Sequence, residues 1–224
     1  MSGANSIAVP KASIHIPADT VIGYGRHAVA RAGAVIELDE GNHYLLARNG
    51  RGKTTLLRTL AGSLRPLDRK PAVFGTVQFV SDELSFDPDL PAGVIFRALL
   101  DGSARVRARD LAARLELDIK KPYGNLSRGN RQKVSIILAE FRVPQGEPCI
   151  LLLDEPFSGL DAPTREALLE FWRASTKDVL RLITCHPDFD SMDLLRPVII
   201  SEGVIRRVKE GEGRDWGTIK HQLN

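Results

Sequence analysis

Cysteine is scarce in this chain. Only Cys149 and Cys185 occur, each in an apolar, strand-like run and neither in a metal-spaced pair. That argues against a disulfide framework and a cysteine metal site. It suits a reducing cytoplasm in which both thiols are buried and inert. Long hydrophobic runs are missing as well: nothing approaches the ~18 uninterrupted apolar residues of a membrane span. The opening MSGANSIAVPKASIHIP has no basic start followed by a long apolar segment, so it does not read as a secretory signal. Aromatic residues make up 6%, the net charge is +3, and no basic stripe is interleaved with aromatics. A nucleic-acid partner is therefore not expected.

What remains is an ordinary globular composition, 43% apolar and 26% charged over 224 residues. That is enough for one large domain, or one domain with an inserted lobe. Residues 13–46 read as short strands broken by Gly, Asp-Glu-Gly and Asn. TTLLRTLAGSL then carries apolar residues at helical spacing and stops near Gly62 and Pro66, and GTVQFV follows as a strand. From 83 to 126 the texture is amphipathic and helical, with no convincing strand, which marks an inserted helical lobe. A helix from Arg128 to Phe141, the unbroken apolar CILLLD, the helix REALLEFWRAS, the strand DVLRLIT, a helical turn at 188–195 and a hairpin VIISEGVIRRV complete the chain. Such alternation predicts α/β architecture: a mainly parallel sheet with antiparallel strands on the amino-terminal side.

Five short stretches carry the chemistry. In LLARNGRGKTTLLRTLAG a strand passes through a glycine-containing loop into a helix. Backbone N–H groups around Asn49, Gly50, Arg51 and Gly52, with the helix start at Thr54 and Thr55, would make a nest for polyphosphate. Lys53 would reach the β- and γ-phosphates, and the Thr54 hydroxyl would ligate Mg²⁺. The pattern G-x-x-x-x-G-K-[ST] wants glycine where this chain has Ala47, a methyl that threatens a special backbone angle or a close approach. Arg48 and Arg51 either add positive charge beside the phosphates or stand as solvated surface side chains.

In ILLLDEP a buried strand ends in two carboxylates, which need partners. Asp154 would hold the metal through water, and Glu155 would polarise the attacking water. NLSRGNRQKV opens a helix at Ser127 and Gly129, either an anion site or a plain N-cap. SGLD ends at Asp161. His186 follows the strand LRLITC, at the sheet edge where α/β proteins bind ligands.

In this order, the stretches resemble the ATP-binding-cassette ATPases over nearly the whole chain. ARNGRGKTT is similar to their Walker A loop and ILLLDEP to their Walker B strand with its catalytic glutamate. NLSRGNRQKV is similar to their signature motif, SGLD to their D-loop and His186 to their switch histidine. Tyr24 sits where the family has an aromatic that stacks on adenine. The chain departs from the pattern at Ala47, at Arg128 (usually glycine) and at Asn130 (often glutamine). It departs again in the Q-loop, where Asp82 or Ser81 stands at the usual glutamine and Gln78 falls inside the strand. Asp82 could still contact Mg²⁺ through a carboxylate oxygen.

The resemblance implies a P-loop core from 1–82 and 127–224 with a helical subdomain at 83–126, using ATP and Mg²⁺. It implies a head-to-tail homodimer, each ATP lying between Walker A of one subunit and Ser127 and Gly129 of the other. A separately encoded integral membrane subunit would select the substrate, leaving this chain cytoplasmic and peripheral at the inner face of the membrane. The alternative in the same family is a soluble assembly ATPase, such as those serving iron–sulfur cluster formation.

Overall fold

The computed structural model describes residues 11–175, 179–185, 196–209 and 216–223. Five strands come first: β1 (Ser13–Ile16), β2 (Val21–Tyr24), β3 (His27–Ala32), β4 (Ile36–Leu38) and β5 (Gly41–Leu46). A loop then enters α1 (Lys53–Leu60), followed by β6 (Ala72–Phe74) and β7 (Thr76–Val80). Three helices follow, α2 (Ala92–Leu99), α3 (Gly102–Arg114) and α4 (Arg128–Arg142). Strand β8 (Cys149–Leu153), α5 (Ala162–Ala174), β9 (Val179–Cys185), the hairpin β10 (Pro197–Ser201) and β11 (Val204–Arg207), and α6 (Trp216–Lys220) end the chain.

Among the described residues, eight strands form one sheet in the order β2-β3-β11-β10-β5-β9-β8-β7, and β4-β1-β6 form a separate antiparallel sheet. Strands β10, β5, β9, β8 and β7 are mutually parallel. Parallel strands are joined by crossovers that cover both faces, so their sequences become almost wholly apolar. All six residues of β5 and all five of β8 are buried.

Successive side chains of a strand point to opposite faces, and two apolar clusters result. Tyr44, Leu46, Leu151, Leu153 and Ile183 face Phe96 of α2, Leu111 of α3, Ile137 of α4 and Trp172 of α5. Leu45, Ile150, Leu152 and Leu182 face Leu56 and Leu57 of α1, with Ile14 of the small sheet. Helices α2 and α3, which fall in the segment read as a helical lobe, thus share a core with the main sheet.

One buried charge interrupts the apolar pattern. Arg181 of β9 donates from Nε and Nη2 to the two carboxylate oxygens of Glu140 at 2.8 and 2.6 Å, and Trp172 Nε1 donates to the same carboxylate at 2.6 Å. Both members of the pair are almost wholly buried. Pairing and full hydrogen bonding are what make such a burial tolerable.

The strand-and-helix reading from sequence agrees with the observed elements, with two additions, β6 and α6. Strand β6 is three residues long with alternating burial, too short to show a period, and only its pairing with β1 makes it a strand. The helical turn read at 188–195 lies outside the described residues.

Candidate functional site

The loop 47–52 leaves the carboxyl end of β5, in the middle of the sheet. Gly50 and Gly52 take left-handed φ angles of 75° and 105°. A Cβ on Gly52 would also come within 2.8 Å of Val29 Cγ1, so both conformation and space require glycine there. Ala47 does not share this demand: it has no left-handed φ, is fully buried and packs in the same cluster as Leu45 and Leu56. The methyl that departs from the loop pattern therefore costs the backbone nothing.

Lys53 opens α1 and is buried. Its Nζ donates to Ala47 O at 3.1 Å and to Asn49 Oδ1 at 3.5 Å, arching over the loop that a polyphosphate would fill. Burial lowers its pKa, and the carboxylates of Glu155 and Asp154 oppose that shift. Asn49, Gly50 and Arg51 are exposed on the rim.

Asp154 and Glu155 arrive from the end of β8. Thr54 Oγ1 donates to Asp154 Oδ2 at 2.6 Å, and Thr184 Oγ1 donates to Asp154 Oδ1 at 2.9 Å. The Thr184 oxygen in turn accepts from the Glu155 N–H at 2.6 Å. Glu155 has φ 48°, a left-handed value uncommon for a residue with a side chain. Threonine 184 was not singled out in the sequence. Its signal is faint: one hydroxyl near the end of the apolar run LRLITC, two residues before the position read as a switch.

Thr54, Asp82, Arg128, Gln132, Asp154, Glu155 and Ser158 line one cavity of about 210 Å³. Hydroxyl and carboxylate oxygens suit a hard cation such as Mg²⁺, which commonly takes one or two protein ligands and completes its shell with water and phosphate. Among the described residues no group of three or more His, Cys, Asp or Glu could form a complete cage. Thr54 and Asp154 fit that partial role.

Tyr24 is 45% exposed at the end of β2, and its phenol oxygen is 3.5 Å from the buried Thr55 Oγ1 at the start of α1. The open ring is available for stacking. Asp82 pairs with Arg128 at 3.8 Å. Ser127 caps α4, accepting from Asn130 N at 3.2 Å, and is itself exposed.

Gly129 is buried instead. A Cβ there would lie 2.2 Å from Gly159 O, so the backbone at the start of α4 and the segment before α5 pack closely within one chain. Asp161 caps α5, accepting from Thr164 N at 2.9 Å, and this hydrogen bonding holds its carboxyl below the usual range. Lys53, Thr54, Asp82, Asp154 and Glu155 are thus gathered, while Asp161 is turned to capping. His186 lies outside the described residues.

The family model described as "ABC transporter" matches residues 35–158, more than half of the chain. The taurine import ATP-binding protein TauB of Pseudomonas savastanoi pv. phaseolicola is 36% identical over 214 residues, covering 85% of this chain and 79% of that protein. The aliphatic sulfonates import ATP-binding protein SsuB 1 of Pseudomonas fluorescens is 38% identical over 174 residues, 72% of this chain and 63% of that one. The chain spans less than two thirds of the length of several curated relatives it matches, down to 45%. A solved structure titled "Structure of ATP binding subunit of ABC transporter" superposes with a TM-score of 0.76 at 20% identity, covering 94% of this chain and 98% of that one. That likeness bears on fold alone. With the family model matched and a relative 36% identical across most of its length, this chain belongs to the ATP-binding proteins of the ABC transporter family.

Proposed function

We propose that this protein binds Mg·ATP over the 47–55 loop and hydrolyses it to power transport by a separate membrane partner. One observation carries the reading. Thr54 and Asp154, 100 residues apart, share a hydrogen bond at 2.6 Å beside Lys53 and Glu155. A strand end bearing two carboxylates and a helix start bearing lysine and threonine have converged on one cavity.

In this reading Lys53 leaves its loop acceptors for the β- and γ-phosphate oxygens, a charge-assisted exchange. Thr54 and Asp154 hold Mg²⁺, with Asp82 beside them. When bound, the ion neutralises phosphate charge and fixes the reacting oxygens. Glu155 orients and polarises the attacking water, and His186 serves as the switch residue. The exposed Tyr24 ring takes the adenine.

Two copies pack head to tail about a two-fold axis, the exposed Ser127 of one meeting the ATP of the other and Gly129 holding the D-loop close behind it. Segment 83–126 is the helical subdomain that receives the membrane subunit. Among the described residues no helix is long and apolar enough to cross a membrane; in this reading the chain sits peripherally at the inner face through its membrane partner. The names of the relatives, which refer to import of taurine and sulfonates, support a role in transport.

Calorimetric titration with Mg·ATP and a phosphate-release assay test the reading together. Lys53→Ala should reduce affinity at least tenfold and abolish turnover while circular dichroism and melting stay close to wild type. Wild-type binding and turnover in that variant would overturn the assignment.

A further inference from the structure

A second cavity lies at the far end of the sheet from the nucleotide loop. It holds about 440 Å³ and opens where β8 and β9 begin, at Cys149 and Val179, and where α4 and α5 end. The loop and the two carboxylates stand at the other end of the same strands. The five residues of β8 alone set the two places about 15 Å apart. No part of the proposed nucleotide chemistry reaches this second space.

Its walls are apolar and hold one unpaired cation. Phe141 and Phe171 meet edge to face at 6.0 Å, with Val143 and Ala174 beside them. Arg181 and Glu140 also line the cavity, but each is taken by the other at 2.6 Å, and both side chains are almost wholly buried. Arg107, from α3, has no ion pair among the described residues. Its guanidinium stands over the Phe141 ring at 5.1 Å, and its Nε is shut off from solvent with no hydrogen-bond partner. A buried donor without an acceptor is destabilising, and an anion drawn in beside the guanidinium would offset that. The remaining charge of the lining is Glu147, exposed at the rim. It repels a second negative charge on anything that enters, so a monoanion suits better than a phosphate ester. Cys149 lies in the wall, yet burial pushes its thiol up to about 12, so capture is non-covalent.

We infer that this cavity is a second ligand site, taking a small aromatic monocarboxylate whose ring packs on Phe141 and Phe171 and whose carboxylate pairs with Arg107. The volume is ordinary for a small-molecule site, as is an apolar lining with one or two placed polar groups. Arginine's planar fork donates two parallel hydrogen bonds to a carboxylate. A flat ring meets the phenylalanine pair in the stacked or edge-on arrangements that aromatic groups favour. The buried Arg181–Glu140 bridge stays intact on binding. Nothing in the inference depends on the nucleotide site.

The test is calorimetric titration of the full chain with 2-naphthoate, and with 2-naphthamide as its uncharged counterpart. The carboxylate should bind roughly tenfold more tightly than the amide, the worth of one charge-assisted contact. Arg107→Gln should remove that preference, and Arg107→Lys should keep part of it. Ala174→Phe, which fills the cavity from α5, should abolish binding of both probes while the melting temperature holds. Lys53→Ala should change neither affinity. Absence of 2-naphthoate binding up to about 1 mM, equal affinity for acid and amide, or a preference that survives Arg107→Gln would overturn the inference. So would loss of binding in Lys53→Ala, which would put the probe in the nucleotide cavity instead.

Discussion

Replacing Thr184 by valine removes one oxygen and little else. That oxygen donates to Asp154 Oδ1 at 2.9 Å and accepts from the Glu155 N–H at 2.6 Å, on a residue that is fully buried. Valine keeps the β-branched shape, so strand packing changes little. Two things are lost. One is a hydrogen bond to a carboxylate, worth about 1.5–3 kcal/mol; the other is a partner for the Glu155 amide, whose desolvation alone costs about 1–3 kcal/mol. Relaxation of the turn recovers part of this, so Thr184→Val should lower stability by about 2–4 kcal/mol in urea denaturation.

The effect on turnover follows from the backbone. Glu155 is held at φ 48°, where a side-chain-bearing residue stays only if its surroundings fix it. Without its anchor the carboxylate drifts, and a misplacement of about 1 Å costs on the order of 10²-fold. Steady-state phosphate release should show kcat reduced about 10- to 100-fold. Affinity for Mg·ATP, which depends on the loop and Lys53, should stay within about threefold. Thr184→Ser should retain both stability and turnover. A valine variant with wild-type kcat would refute the claim that Thr184 positions Glu155, and a serine variant as poor as valine would refute the hydrogen-bond argument.

Two further outcomes are expected. Glutamine matches the shape of glutamate but is a poor base, so Glu155→Gln should bind ATP normally and hydrolyse it about 10²–10⁴-fold more slowly. If ATP bridges two copies, light scattering should show that variant as a dimer with Mg·ATP and a monomer without nucleotide. A monomer at saturating ATP would contradict the head-to-tail arrangement. A second outcome concerns pH. Burial pushes His43 down from 6.5 to about 4, with Arg196 and Arg207 lowering it further and the Asp39 carbonyl and carboxylate opposing. The unfolded imidazole gains a proton below about 6.5, the folded one only below about 4. Stability is therefore full above the first value and falls between the two, by up to about 3 kcal/mol. Denaturation midpoints at pH 7 and 4.5 should differ more for wild type than for His43→Leu; equal differences would exclude His43 as the source.

Much of the fold was legible because its signals are local. The runs YLL, CILLLD and LRLIT are unbroken apolar stretches bounded by turns, as strands of a covered parallel sheet must be. The helices α3, α4 and α5 begin at Asp101, Ser127 and Asp161, each accepting from the N–H three residues on; of these caps only Ser127 was read from the sequence. Strand β6 was not legible, since three residues carry no period and its partner β1 lies far upstream. Nor was Thr184: a single hydroxyl in an apolar strand has no meaning until the strand order places β9 between β5 and β8.

The order and type of these residues pointed, without coordinates, to a lysine-bearing loop and a carboxylate-bearing strand end meeting at one site, and Thr54 and Asp154 do meet there. Their spacing along the chain encodes the turn, the helix start and the strand end, which depend on near neighbours. Only the tertiary structure decided what particular residues of the pattern do. Ala47 is harmless because its φ is ordinary and its methyl joins the core beneath the loop. Gly129 is obligatory because Gly159 O stands where its Cβ would be. Asp82 and Arg128, unremarkable as separate substitutions, answer each other across a cavity. Contacts between residues so far apart depend on where the parallel sheet sets down the ends of its strands, and no local pattern records that.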